Sequence, residues 1–194
     1  MRPRILLSLL PVLVFLALSR VAPPWFAILG GFGTSAAVFA VNRQSRLIGW
    51  LTIFGFAVVS VSAVVGIVGN SEKAYLASGP LSDFLFVPLY IGSVIVRRPL
   101  VGGIARELVP AIAGRVPLEA SVYSSLSLAW AAFDLVHGIG ASYLLARLSV
   151  AEYVIWSRVA FWPFSGALLL ITAGAIWFEA RRLAVHSAQA FEAT

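Results

Sequence analysis

The chain has 194 residues, of which 60% are hydrophobic and only 11% charged, with a net charge of +6 and no cysteine. A soluble domain is nearer half apolar and a quarter charged, and a core of this length cannot hide that much apolar surface from water, so the implied solvent is lipid. The lack of cysteine excludes disulfides, thiolate metal centres and thiol nucleophiles.

Six apolar stretches follow in chain order, at roughly Ile5–Leu18, Pro24–Val41, Leu47–Gly69, Leu81–Val96, Tyr123–Leu145 and Val150–Phe178. A helix needs about 20 residues to cross a bilayer at its 1.5 Å rise, so the third and fifth suffice and the sixth has residues to spare. The first, second and fourth are marginal. Pro11 and Pro88 sit inside the first and fourth, where kinks or tilts are expected. None of the runs has the alternating ten-residue pattern of an outer-membrane barrel. The expected fold is all-α, a polytopic transmembrane helical bundle of about six spans forming one integral membrane domain over residues 1–194.

The connections punctuate these stretches. Ala22-Pro23-Pro24 reads as a tight reversal and Asn42–Arg46 as a short polar turn. Asn70–Lys73 and Ser78-Gly79-Pro80 separate the third and fourth stretches, with Ser78 an expected N-cap. The one long loop is 97–122, and within it Leu100–Val109 carries Arg106 and Glu107 on an apolar run suited to lying flat at the interface. Residues 179–194 read as a C-terminal tail. An alternative for the N-terminus is a signal peptide, with Arg2 and Arg4 before an apolar run and Ala17-Leu18-Ser19 as the cleavage site; retention is the preferred reading.

Arginine placement sets the orientation. With a cytoplasmic N-terminus, the inner segments hold ten basic residues: Arg2, Arg4, Arg43, Arg46, Arg97, Arg98, Arg106, Arg115, Arg181 and Arg182. The outer loops hold Arg20, Lys73 and Arg147, and Arg158 falls inside the last stretch. Cationic residues stay cytoplasmic during insertion, so both termini are expected inside, with the positive charge facing anionic lipid heads. Arginine-rich composition, with Lys73 the only lysine, points to a GC-rich bacterial genome. A nucleic-acid binder would gather its charge on one folded face with aromatics, a pattern this chain lacks.

The informative residues are polar ones inside apolar stretches. Trp130, Asp134, His137 and Gly138 recur at helical spacing and share a face. Arg158 lies about two turns into the last stretch. If the last two stretches form an antiparallel hairpin, reflection about position 148 sets Arg158 opposite Gly138, near His137 and about one turn from Asp134. Charges in lipid pair or face a water-filled cavity, so an intramembrane cluster of Trp130, Asp134, His137 and Arg158 is expected. It serves either as an Asp134–Arg158 bridge that fixes the hairpin or as a polar cavity for a small molecule, a lipid head group or a proton.

Enzyme templates are missing. The chain has no H-E-x-x-H, no G-x-S-x-G, no phosphate-cradling glycine loop and no D-x-x-D cluster. Its two histidines, His137 and His186, fall in different compartments and make no histidine-rich metal site. No catalytic residue, metal or cofactor is expected. Ser62-x-x-x-Gly66 and Gly138-x-x-x-Ser142 are small-xxx-small motifs suited to close helix packing, within the chain or with a partner, a homo-oligomer included.

Two local strings carry a resemblance. Val96-Arg97-Arg98-Pro99-Leu100-Val101 ends the fourth stretch, and Leu126-Ser127-Leu128-Ala129-Trp130-Ala131-Ala132-Phe133 opens the fifth about 30 residues on. With the order of the stretches and the polar turn at Gly69–Glu72, the chain from about Leu10 to Arg182 resembles the intracellular septation protein A family of bacterial inner-membrane proteins. Trp156–Pro163 is closer to its actinobacterial relatives of unknown function. The resemblance implies a part in septation and envelope maintenance through contacts with other membrane proteins, without catalytic residues. Arg97, Arg98 and Pro99 map onto the family motif as a structural stop and anchor at the inner headgroups.

Overall fold

A computed structural model of the chain describes residues 11, 13–41 and 47–192, with side chains placed outside 38–39, 41, 47–52 and 186–192. The described residues contain helices and no strand. The helices are α1 (Pro24–Val41), α2 (Leu47–Val68), α3 (Glu72–Leu76), α4 (Ser78–Ile95), α5 (Leu100–Leu108), α6 (Pro110–Ala113), α7 (Ser121–Arg147) and α8 (Val150–Glu192). Three helical segments are long and apolar enough to cross a membrane: Glu72–Ile95, Ser121–Arg147 and Val150–Val185. A shorter apolar helix covers Ile53–Val68. Residues 5–10 and 12 of the first stretch lie outside the described residues, as does the Asn42–Arg46 turn.

One local expectation changes, at Ser78. Ser78 is not an N-cap, because Ala77 keeps right-handed helical geometry and its N–H donates to Lys73 O at 3.0 Å. Leu81 N–H then reaches Ala77 O at 3.0 Å, so the chain stays helical through Ser78-Gly79-Pro80. The C-terminal tail is helical as far as Glu192: α8 runs for 43 residues, about 65 Å at 1.5 Å per residue and roughly twice a bilayer's hydrocarbon core. Glu152 takes part in the start of α8. The Ser149 N–H donates to Glu152 Oε2 at 3.0 Å, and the Glu152 N–H donates to Ser149 Oγ at 3.4 Å. This is a capping box, which satisfies helix donors that have no partner within the helix.

The contacts gather the chain into two units. One comprises 1–82 and 138–156, the other 83–137 and 157–194. In the first, α1, α2 and α3 pack around Phe15, Ala27, Ile28, Ala63 and Tyr75. At Gly66 these elements approach one another closely. A Cβ there would sit 3.0 Å from both Ile28 Cδ1 and Tyr75 Cβ, and Ser62 one turn earlier is buried. The Ser62-x-x-x-Gly66 motif therefore serves packing inside the chain. Asn70 then ends α2 with φ of 46°; its N–H reaches Ile67 O at 3.1 Å, and the Ser71 N–H reaches Gly66 O at 2.8 Å. That pair of bonds is a Schellman closure. A smaller core of Ala141, Tyr153 and Val154 joins the adjoining ends of α7 and α8.

In the second unit, α5, α6 and the following turn pack on α7 and α8 around Val101, Ala105, Ala113, Val116, Tyr123, Leu126, Ile176 and Ala180. Tyr123 is fully buried and its hydroxyl donates to Ala113 O at 3.0 Å. Arg106 extends back to Val116 O at 2.8 Å, closing the α5–α6 turn. Gly102 lets α5 approach this ring, since a Cβ would fall 2.8 Å from Leu118 Cδ1 and 2.9 Å from Tyr123 Cγ. Gly102→Ala should therefore cost about 1–3 kcal/mol by overpacking, measured by unfolding in detergent micelles. Gly92, with nothing within 4 Å of a built Cβ, provides the control. Gly92→Ala should be neutral or stabilising by about 0.5–1 kcal/mol. Equal stability of the two variants would contradict this packing.

Candidate functional site

The polar centre of the second unit is a contact between α4 and α7. Asp83 Oδ2 lies 2.7 Å from His137 Nδ1, with side chains 17% and 26% exposed. That oxygen is buried and has no aligned hydrogen-bond partner among the described residues, so the contact is an ion pair that depends on imidazole protonation. His137 is enclosed by rings: Phe133 stacks parallel to it at 5.7 Å and Phe161 meets it edge-on at 4.4 Å. The two rings fix the orientation of the imidazole.

Asp134 lies one turn from His137 on α7, close enough to Asp83 and His137 to interact electrostatically, and Tyr90 on α4 is within the same field. It forms no hydrogen bond or ion pair among the described residues. Both carboxylates stand near the middle of their segments, Asp83 within Glu72–Ile95 and Asp134 within Ser121–Arg147.

Trp130 joins the same stack without joining the ionic pair. Its ring meets Phe133 edge-on at 5.8 Å, and its Nε1–H donates to Thr172 Oγ1 on α8 at 3.0 Å. Thr172 in turn donates to Leu168 O at 2.8 Å. The chain of contacts satisfies each polar atom as it enters the apolar interior.

The expected Asp134–Arg158 bridge is not formed. Arg158 is exposed and its guanidinium lies over the Trp162 ring at 5.5 Å. The reason is register. His137 faces Phe161 and Trp130 bonds Thr172, so α7 and α8 reflect about positions 149 to 151 instead of 148. Asp134 is then level with about Phe164 to Leu168, roughly 9–15 Å along the axis from Arg158. The carboxylate beside His137 comes instead from Asp83 on α4.

Sequence reasoning passed over that partner. Starting the fourth stretch at Leu81 put Asp83 in a first turn, at an interface where an acid is unremarked. Continuous helix from Glu72 moves it to mid-span. An acid within an otherwise uncharged run from Ala74 to Val96 was the available signal.

The Arg97-Arg98-Pro99 motif is a backbone device. Arg97 adopts φ of 55°, with its N–H bonded to Val94 O at 3.0 Å and the Arg98 N–H bonded to Ser93 O at 2.9 Å. This again is a Schellman closure, with arginine where glycine is usual. Pro99 is buried, and the first amides of α5 are capped from two sides: Leu100 N–H by Ser93 Oγ at 2.9 Å and Val101 N–H by Ser127 Oγ at 3.2 Å. Ser127 belongs to the second motif string, so the two strings meet in one hydrogen bond.

Comparison with family models, curated proteins and solved structures finds no match. No group of three His, Cys, Asp or Glu side chains suited to a metal ion occurs among the described residues.

A double-mutant cycle tests the pairing. Asp83→Asn and His137→Gln should each destabilise the chain in detergent, with a coupling of about 0.5–3 kcal/mol. Asp134→Asn and Arg158→Gln should add within about 0.5 kcal/mol. Additive effects at 83 and 137, with coupling at 134 and 158, would reverse the assignment.

Proposed function

We propose that this chain is a non-enzymatic, multi-pass protein of the bacterial cytoplasmic membrane, acting in septation or envelope maintenance through contacts with other membrane proteins. The arrangement is six spans with both termini cytoplasmic, supported by the ten-to-three bias of basic residues. The resemblance at Val96–Val101 and Leu126–Phe133 supports the envelope role. The observation that carries the non-enzymatic reading is the Asp83–His137 contact. The one intramembrane histidine is paired with a carboxylate of the neighbouring helix and packed between Phe133 and Phe161, an arrangement that fixes helix partners. Leu169, Leu170 and Ile171 on α8 are at least 60% exposed and offer an apolar face to lipid, a partner helix or a second copy.

Asp134 favours a second reading, a small transporter or lipid- or small-molecule-binding protein. It is an acid at mid-span beside the ion pair and unused by it. The two readings separate in a host whose own copy of this chain is deleted. Asp134→Asn, expressed at wild-type level, should restore envelope integrity and septation fully if the chain acts by contact. Normal insertion with loss of the phenotype would instead favour the transport or ligand reading.

A further inference from the structure

The hairpin formed by α5 and α6 has two unlike surfaces. Val101, Gly102, Ala105 and Ala113 are buried against Tyr123, Leu126, Ile176 and Ala180. The other surface presents Leu108, Val109 and Ile112, which are 63%, 45% and 37% exposed. Pro110 and Ala111 between them are exposed as well. A contiguous apolar tip of this kind, on a hairpin whose core face is already filled, needs a solvent other than water.

Exposed arginines adjoin the hairpin and the residues it packs on. Arg97, Arg98, Arg115 and Arg181 are all exposed. Arg115 directly precedes buried Val116 and Arg181 directly follows buried Ala180, while Arg97 and Arg98 lead through buried Pro99 into α5. All four therefore border one packed cluster. Arg181 lies over the Trp177 ring at 4.4 Å, and Trp177 is itself half exposed, as an interfacial aromatic would be. The nearby acids are fewer: Glu179 pairs with Arg182 at 3.6 Å, Glu107 has its own contacts, and Glu119 is exposed. The double capping of α5 by Ser93 and Ser127 fixes the hairpin's direction, so it meets its surroundings as a preformed surface.

We propose that this hairpin is a docking site for anionic phospholipid: Leu108, Val109 and Ile112 enter the acyl boundary, and Arg97, Arg98, Arg115 and Arg181 hold the phosphate-bearing head groups. Apolar insertion supplies the depth and the guanidinium groups supply the charge selectivity. The site rests on the membrane placement proposed above, and it adds the lipid class and the residues that select it.

The test uses the full chain in detergent, offered phosphatidylglycerol and phosphatidylcholine in equal amounts, with retained lipids counted by native mass spectrometry. Wild type should retain phosphatidylglycerol preferentially, and the preference should fall as salt is raised. Arg98→Gln with Arg115→Gln, neither of which holds the positive-φ position, should reduce that preference about fivefold per arginine. Leu108→Ser with Ile112→Ser should weaken retention of both lipids and leave the ratio unchanged. Equal retention of the two lipids by wild type would overturn the proposal. So would an equal loss of preference in Arg158→Gln, whose charge lies outside the hairpin. A reporter fused after Thr194 that reads external would sink the topology alone, and unaltered lipid selectivity alongside it would leave the docking site standing.

Discussion

A carboxylate in the middle of an apolar helix has few ways of staying there. It must be protonated, reach water or meet a cation, and Asp83 meets His137. This contact fixes α4 beside α7, and the rings on either side of His137 extend the same constraint to α8 through Phe161. Trp130 and Thr172 repeat the tie farther along with a neutral hydrogen bond. Lipid gives little hydrophobic drive for one helix to choose another, so a few polar contacts of this kind decide which helices are neighbours.

The same scarcity of partners governs the backbone. Two helices end in left-handed residues that are not glycine, Asn70 and Arg97, and both closures return the next amide to a carbonyl five residues back. A left-handed arginine costs roughly 1–2 kcal/mol, which the hydrogen bonds around it offset. Side-chain hydroxyls behave alike: Ser60, Ser82, Ser165 and Thr172 each bond a carbonyl four residues earlier on their own helix. Local satisfaction leaves the outer faces of the helices free to be wholly apolar, as exposed Leu169, Leu170 and Phe178 on α8 illustrate.

Much of the helical layout was legible because apolar runs in lipid-facing segments are long and interrupted by few residues. Pro24–Val41 and the start of α8 at Val150 coincide with their expected limits, and the helix at Leu100–Leu108 falls where a short interfacial segment was read. Gly-Pro at 79–80 misled, because proline in the first turn of a helix needs no donor and is compatible with continuation from α3. That single boundary hid Asp83. The Arg158 pairing failed for a related reason: a shift of one to three residues in the reflection point moves the facing position by two to six residues, about 3–9 Å along the axis, and hydropathy does not fix the register of a hairpin. His137 was found because a lone histidine at mid-span stands out in any frame. The capping role of Ser127 was not legible, since a serine in a helix gives no sign that an amide 26 residues away will approach it.

The central claim is that His137 contacts Asp83, and not Asp134 or Arg158. The chain has only two histidines, which makes the imidazole nitrogens assignable by solid-state ¹⁵N NMR in lipid bilayers. The His137 Nδ1 resonance should shift in Asp83→Asn and remain near its wild-type position in Arg158→Gln, with Asp134→Asn producing the smaller change of a charge farther off. A His137 spectrum indifferent to Asp83→Asn, or one that moves chiefly with Arg158→Gln, would contradict the account.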